Sequence, residues 1–166
     1  MLAAGLNADG TLSTHKADLI VNTTGALTGR GTHLATGKFS LTGNPTDLAG
    51  STTQAGEISL SSEGDLYTQG AKLTATETMS LNAKGRLNNQ NGKLAANTLN
   101  LTANALDNRH GNITQAGTSD LSLNLPGGLN NQDGVIATNS QNLTINTADL
   151  NNQTGNIQHA GSGSLL

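Results

Sequence analysis

The sequence predicts an all-β protein, a parallel β-helix of about eight coils with three short strands in each coil. Three observations lead to this prediction: a repeat of about 20 residues, apolar residues at fixed places within it, and short segments in which apolar and polar residues alternate. Repeats of this length are typical of solenoids, in which each repeat forms one unit that stacks on its neighbours. The repeat fills the 166 residues and leaves no room for a second domain.

The repeat is clearest in four stretches that begin at Leu87, Leu106, Leu129 and Leu150. In each stretch asparagine stands two residues after the leading leucine, glycine five residues after it, and leucine or isoleucine seven residues after it. Weaker copies extend this pattern upstream. The eight predicted coils begin near residues 6, 27, 48, 66, 87, 106, 129 and 150, and the copy that starts at Leu48 lacks an apolar residue at its seventh place.

The segments between the turns predict strands. A short segment such as 93–96 or 112–115 follows the glycine, and an alternating segment such as 99–103, 121–125 or 143–147 comes next. Alternation with a period of two residues puts the apolar side chains on one face of a strand, so Leu101, Leu123 and Ile145 are expected to point inward. Because strands this short cannot bury that face alone, we expect equivalent strands to stack in parallel from coil to coil. Eight coils would rise roughly 38 Å.

The turn motif supplies the candidate structural residues. Its glycines are expected to adopt positive φ, which glycine tolerates best. Its asparagines are expected to stack as a ladder in which each side-chain amide bonds to the next one along the axis. The alternative is a turn that uses both residue types for their turn propensity alone. The predicted ladder consists of Asn89, Asn108, Asn131 and Asn152, and the predicted turn glycines are Gly92, Gly111, Gly134 and Gly155.

Composition separates the chain from ordinary globular and disordered proteins. It has one Phe, one Tyr and 11% charged residues, but 21 Asn and 21 Gly. The regularly spaced aliphatic residues favour an ordered chain, because disordered segments lack periodic apolar residues. A net charge of −3 with scattered Lys and Arg gives no basic stripe for nucleic acid. There is no Cys for disulfides and no apolar run long enough to predict a membrane span.

Few residues are candidates for chemistry. The repeat register places Asp133 one coil after His110, within reach of an ion pair or a weak polar surface site. The four histidines fall at different repeat positions, so no metal cluster is predicted, and no cofactor-binding motif is present. Arg30, Arg86 and Arg109 are isolated in the sequence and are expected to be solvated. We therefore predict no enzymatic activity and no catalytic, cofactor or metal site.

The phrase Leu-x-Asn-x-x-Gly-x-Leu/Ile, followed by a Leu-x-Leu strand, resembles the haemagglutinin repeat of filamentous-haemagglutinin-like exoproteins. These include the effector proteins of contact-dependent growth inhibition. The resemblance covers nearly the whole chain and is strongest from Leu87 to Ile157. It implies a right-handed parallel β-helix, export through an outer-membrane two-partner-secretion transporter, and a filament on the bacterial cell surface that carries an adhesive or toxin region.

The expected function is therefore a stalk segment of a secreted adhesin or toxin-delivery protein. The Asn44-Pro45 pair lies inside a repeat, whereas the family's secretion domain has Asn-Pro motifs of its own. The chain is thus expected to be an interior fragment of a longer exoprotein. One alternative is an adhesive module that binds a glycan or receptor along one strand face. A third hypothesis is a carbohydrate-active enzyme, which requires a cleft of adjacent carboxylates.

Overall fold

The computed structural model describes all 166 residues and consists of strands and turns without a helix. Its 18 strands pair in parallel, so that a strand inside the stack bonds to the equivalent strands of the coils before and after it. This arrangement confirms the predicted parallel β-helix.

The strands form three faces that run along the solenoid, with one strand from each face in every coil. Face 1 consists of β3 (Leu27–Thr28), β5 (Thr46–Asp47), β7 (Leu66–Tyr67), the ends of β9 (Thr78–Asn88) and β11 (Thr98–Asp107), β14 (Leu129–Asn130) and β17 (Leu150–Asn151). Face 2 consists of β1 (Leu2–Ala4), the starts of β4 (Thr32–Gly43) and β6 (Thr52–Ser62), β8 (Lys72–Ala75), β10 (Lys93–Ala96), β12 (Asn112–Gln115), β15 (Val135–Thr138) and β18 (Asn156–His159). Face 3 consists of β2 (Leu19–Asn22), the ends of β4 and β6, the starts of β9 and β11, β13 (Leu121–Leu125) and β16 (Leu143–Thr147).

The chain makes about seven turns around the axis, one fewer than predicted. The difference lies at the start of the chain. Leu6 forms an antiparallel bridge with Leu12 and does not stack against Leu27, so the prediction of a first coil at residue 6 is wrong. The first strand of the stack is instead β1, which precedes Leu6 and pairs with the start of β4 on face 2.

The predicted start of the third coil is also wrong, by two residues. Thr46 pairs with Leu27 on one side and with Leu66 on the other, so Thr46 occupies the place of the leading leucine. Leu48 stands where later coils carry the ladder asparagine, and it is fully buried. A threonine at the leucine place and a leucine at the asparagine place together shifted the alignment of this copy.

Aliphatic side chains from all three faces fill the interior. The core is one cluster of 29 buried hydrophobic residues. Leu101 and Leu123 belong to it, as predicted, whereas Ile145 is partly buried because it lies near the C-terminal end of the stack. Burial of one leucine contributes roughly 1.5–3 kcal/mol. Stability therefore depends on summing such contributions over stacked neighbours, and the turns at the corners set which residues stack.

Candidate functional site

The corner between faces 1 and 2 contains a hydrogen-bonded ladder of asparagine side chains. Each Nδ2 donates to the Oδ1 of the asparagine one coil later. The donor–acceptor distance is 2.7 Å in each of the three steps, from Asn89 to Asn108, from Asn108 to Asn131 and from Asn131 to Asn152. The first three of these asparagines are fully buried. The Thr68 hydroxyl donates to Asn89 Oδ1 at 3.0 Å and so caps the ladder at its N-terminal end. Because a buried polar group without a partner costs about 1–3 kcal/mol, the ladder fixes the stacking register of the turns.

The expectation that the four turn glycines adopt positive φ is wrong. The residue immediately before each glycine adopts it instead, with φ between 53° and 55°. These residues are Asn91, His110, Asp133 and Thr154. Two earlier coils have glycine at the equivalent place, with φ of 67° at Gly50 and 64° at Gly70. The left-handed conformation therefore belongs to one position of the turn, whichever residue stands there.

The glycines that follow are required for space. A Cβ added to Gly92 would lie 2.5 Å from the carbonyl oxygen of Thr68 in the preceding coil, and one added to Gly111 would lie 2.5 Å from that of Asn89. A Cβ at Gly134 or Gly155 would come closer still to the preceding backbone. In all four turns it would also overlap the Oδ1 of the ladder asparagine in the same coil. Asparagine and glycine therefore occur together in the repeat because the asparagine side chain occupies the space beside the glycine.

The structure brings His110 and Asp133 together on the outside of this corner. His110 Nδ1 lies 3.9 Å from Asp133 Oδ2, and both side chains are substantially exposed. The Thr154 hydroxyl donates to Asp133 Oδ1 and is the main reason why the pKa of Asp133 is below its ordinary value, with Gln132 and His110 adding to the effect. An exposed pair in a turn is a surface contact of small energy.

The sequence did not predict a buried carboxylate on face 1. Asp107 is 3% exposed and stands where later coils have Asn130 and Asn151. Its Oδ1 accepts from Arg109 Nε at 3.0 Å, and its Oδ2 accepts from Arg109 Nη2 at 2.9 Å and from Gln90 Nε2 at 2.8 Å. Burial raises the pKa of Asp107, but these hydrogen bonds outweigh that effect and hold the pKa below its ordinary value.

Asp107 also joins two arginines that had been expected to be isolated and solvated. Arg109 forms a forked contact with it, and Arg86 Nη1 lies 3.8 Å from its Oδ2. The three residues line a cleft of about 330 Å³ on face 1 together with residues of the next two coils. The signal in the sequence was an aspartate in a column of asparagines, with one arginine two residues after it and another just before Leu87 in the preceding copy.

The chain shows no group of three or more His, Asp or Glu side chains arranged to hold a metal ion. It also contains no helix that would be long and apolar enough to cross a membrane.

An all-strand solenoid with a buried asparagine ladder at one corner defines a repeat protein whose coils are structurally equivalent. The family model for the haemagglutinin repeat matches residues 3–123 and 115–165. These two matches together cover nearly the whole chain. The chain belongs to the haemagglutinin-repeat family.

Similar proteins of this family are much longer. The chain is 39% identical over 121 residues to Toxin CdiA of Yersinia pestis, a match that covers 70% of this chain and 4% of that protein. It is 35% identical over 97 residues to tRNA nuclease CdiA-2 of Burkholderia pseudomallei (strain 1026b), which covers 57% of this chain and 3% of that protein. The chain thus spans a few per cent of the length of these relatives. No solved structure matches it.

Proposed function

We propose that this chain is a stalk segment of a long secreted protein of the bacterial cell surface, either a toxin-delivery protein of contact-dependent growth inhibition or an adhesin. The observation that supports this proposal is the parallel register, which continues through every coil from Leu27 to Leu150. In such a stack each coil contacts only its neighbours, so coils can be added without changing the fold. A rod of this kind holds whatever domain lies beyond it at a fixed distance from the membrane.

The proposed partner during export is an outer-membrane transporter of the two-partner-secretion type. The edge of each folded coil presents backbone N–H and C=O groups to the next one, and the ladder asparagine presents a side-chain amide in the same direction. Folding of one coil outside the cell therefore provides the template for the next, and each added interface opposes backward movement of the chain. The absence of cysteine suits a chain that crosses a pore unfolded.

We assign no enzymatic activity to this segment. The names of the two relatives describe a toxin and a tRNA nuclease, but the matches lie in repeat-like regions of those proteins and cover 4% and 3% of their lengths. The proposal places any toxin activity of the parent protein in a separate domain that the rod carries.

A pair of deletions in the parent exoprotein tests the stalk function. Removal of residues 27–65 takes out two whole coils, because Leu27 and Leu66 occupy the same place of the repeat, and it leaves the cleft beside Asp107 in place. Removal of residues 27–36 takes out about half a coil and misaligns the three faces. The whole-coil deletion should be secreted and displayed at the wild-type level and keep the parent's delivery or adhesive activity, whereas the half-coil deletion should lose display. Loss of activity in a displayed whole-coil deletion would show instead that these coils bind the target themselves.

The alternative of a glycan-binding module is favoured by a specific observation at one place only, the cleft beside Asp107. The stalk function does not require this cleft.

A further inference from the structure

Four residues in consecutive coils form a notch along the outside of face 1. Each immediately precedes the leading apolar residue of its coil: Arg86, Ala105, Gly128 and Asp149. The two small residues in the middle form the floor, and the two charged residues stand at the ends. Three strand spacings separate the ends by about 14 Å. All four residues line the cleft of about 330 Å³, a volume near the lower end of the range for small-molecule sites.

The wall of the notch is held rigid by the ion pair beneath it. Both oxygens of Asp107 accept hydrogen bonds from Arg109, and one also accepts from Gln90. Arg86 is left without a comparable partner, since its guanidinium donates no hydrogen bond and lies 3.8 Å from the already occupied Asp107 Oδ2. An arginine without a bonded counter-ion, beside a fixed wall, is a binding group for a carboxylate.

The remaining polar groups of the cleft are also free to bind a ligand. Asn130 and Asn151 accept backbone hydrogen bonds through Oδ1, but their Nδ2 groups have no acceptor within the protein. The carboxylate of Asp149 has no hydrogen-bond or ion-pair partner in the protein, so it is available to accept from hydroxyl groups. Amide donors and a carboxylate acceptor in one polar cleft match the alternating donors and acceptors of a sugar ring.

We propose that this cleft binds an acidic saccharide, a short stretch of sugar units bearing carboxylates, with Arg86 holding the carboxylate and Asp149 and the two asparagines holding hydroxyls. The assignment is independent of the stalk function, since a rod without this cleft remains a rod. It gives one position along the filament a role in contact with surface polysaccharide.

The test titrates the 166-residue chain with trigalacturonic acid and with its fully methyl-esterified form, which keeps the sugar and removes the charge. Heteronuclear NMR follows the backbone amides of residues 105–109 and 127–130. The acid should shift these signals in a saturable manner, and the ester should bind at least about tenfold more weakly than the acid. Arg86→Gln should lower the affinity for the acid by about tenfold, and Ala105→Leu should do the same by filling the floor while leaving every charge in place.

Arg30→Gln is the matched control. Arg30 stands three residues into its coil, as Arg109 does, and its side chain is about as exposed as that of Arg86, but it pairs with Asp47 outside the cleft. This variant should bind like the wild type. The proposal is overturned if the wild type binds neither compound, if acid and ester bind equally, or if Arg30→Gln and Arg86→Gln weaken binding to the same extent. Amide spectra of each variant that match the wild type away from the cleft show that the fold is intact.

Discussion

The turns between faces 1 and 2 reach one geometry with two different chemistries. In the coils that begin at Thr46 and Leu66, glycine takes the positive-φ place and a residue with a side chain, Ser51 or Ala71, follows it. In the four coils from Leu87 onward the order is reversed, so that a residue with a side chain has positive φ and glycine follows. The reversal coincides with the ladder, because the earlier coils have leucine or threonine where the later ones have asparagine.

This comparison separates two requirements that a turn glycine can meet. Positive φ is a property of the backbone path and is present in both regions. The need for an absent Cβ arises only where an asparagine Oδ1 and the preceding carbonyl crowd the next position. Local conformation and packing space thus select glycine at neighbouring places for unrelated reasons.

The largest difference between the two regions should come from breaking the ladder at its middle. Asn108→Ala removes the acceptor of Asn89 and the donor to Asn131, two buried groups. We expect the free energy of unfolding to fall by about 3 kcal/mol. Thr68→Ala, at the end of the ladder, removes one donor and should cost about 1 kcal/mol. Guanidinium denaturation followed by circular dichroism measures both, and equal losses would show that the ladder is not the feature that distinguishes the later coils.

The second prediction concerns the space beside the ladder. Gly134→Ala puts a Cβ against the carbonyl of Asn108 and the Oδ1 of Asn131, neither of which can move without breaking the stack. We expect a loss of about 2 kcal/mol. Ala71 is the equivalent residue of an earlier coil, where a buried Cβ is accommodated, and Ala71→Gly should cost about 1.5 kcal/mol through backbone entropy and the lost methyl group rather than through crowding. A Gly134→Ala variant as stable as the wild type would contradict the crowding seen here.

The third prediction isolates backbone conformation from space. Gly70 has φ of 64°, and a Cβ there would meet nothing within 4 Å. Gly70→Ala should therefore cost about 1 kcal/mol, which is the strain of a left-handed alanine. Gly70→Asn should cost clearly less, because asparagine tolerates this conformation and Asn91 already adopts it one coil later. The same denaturation experiment compares the two variants; an equal cost for both would point to contacts rather than to φ.

The strands were predictable because their signals are local. Segments 121–125 and 143–147 were predicted from alternation and have the same bounds as β13 and β16. Residues 93–96 and 112–115, predicted from their place after the glycine, have the bounds of β10 and β12. A period of two residues and a repeat of about 20 need no knowledge of which atoms meet in space.

The turns and the cleft depended on contacts between coils, which the sequence does not display. The positive φ of the residue before each glycine follows from the turn path, although glycine would have been its usual occupant. The misplaced coil at Leu48 shows that an alignment by residue type fails where a buried leucine replaces a ladder asparagine. The pairing of Asp107 with Arg86 required the correct register of two adjacent coils before it became visible, whereas Arg109 lies in the same coil as Asp107.

The smallest predicted effect is on the pH dependence of stability, and it comes from a place on face 1 where one coil has an acid and the neighbouring coils have an amide. Asp107 carries a carboxylate where Asn88, Asn130 and Asn151 carry an amide, and its pKa in the folded protein is below the ordinary value of 3.8. The unfolded chain therefore binds this proton at higher pH than the folded chain does. The carboxylate therefore contributes fully to the free energy of unfolding above pH 3.8, and this contribution is lost as the pH falls below that value towards the pKa in the folded protein.

Asp107→Asn should remove this pH-dependent contribution to the free energy of unfolding. The turn should be kept, because asparagine makes the same backbone contact in the neighbouring coils. Urea denaturation at pH 6 and pH 3 should show a smaller drop in stability for the variant than for the wild type. Gln90→Met keeps the carboxylate but removes one donor, so its drop should be intermediate. If the variant and the wild type lose stability equally on acidification, the carboxylate is not held by its hydrogen bonds, and the rigid wall ascribed to the cleft is lost with it.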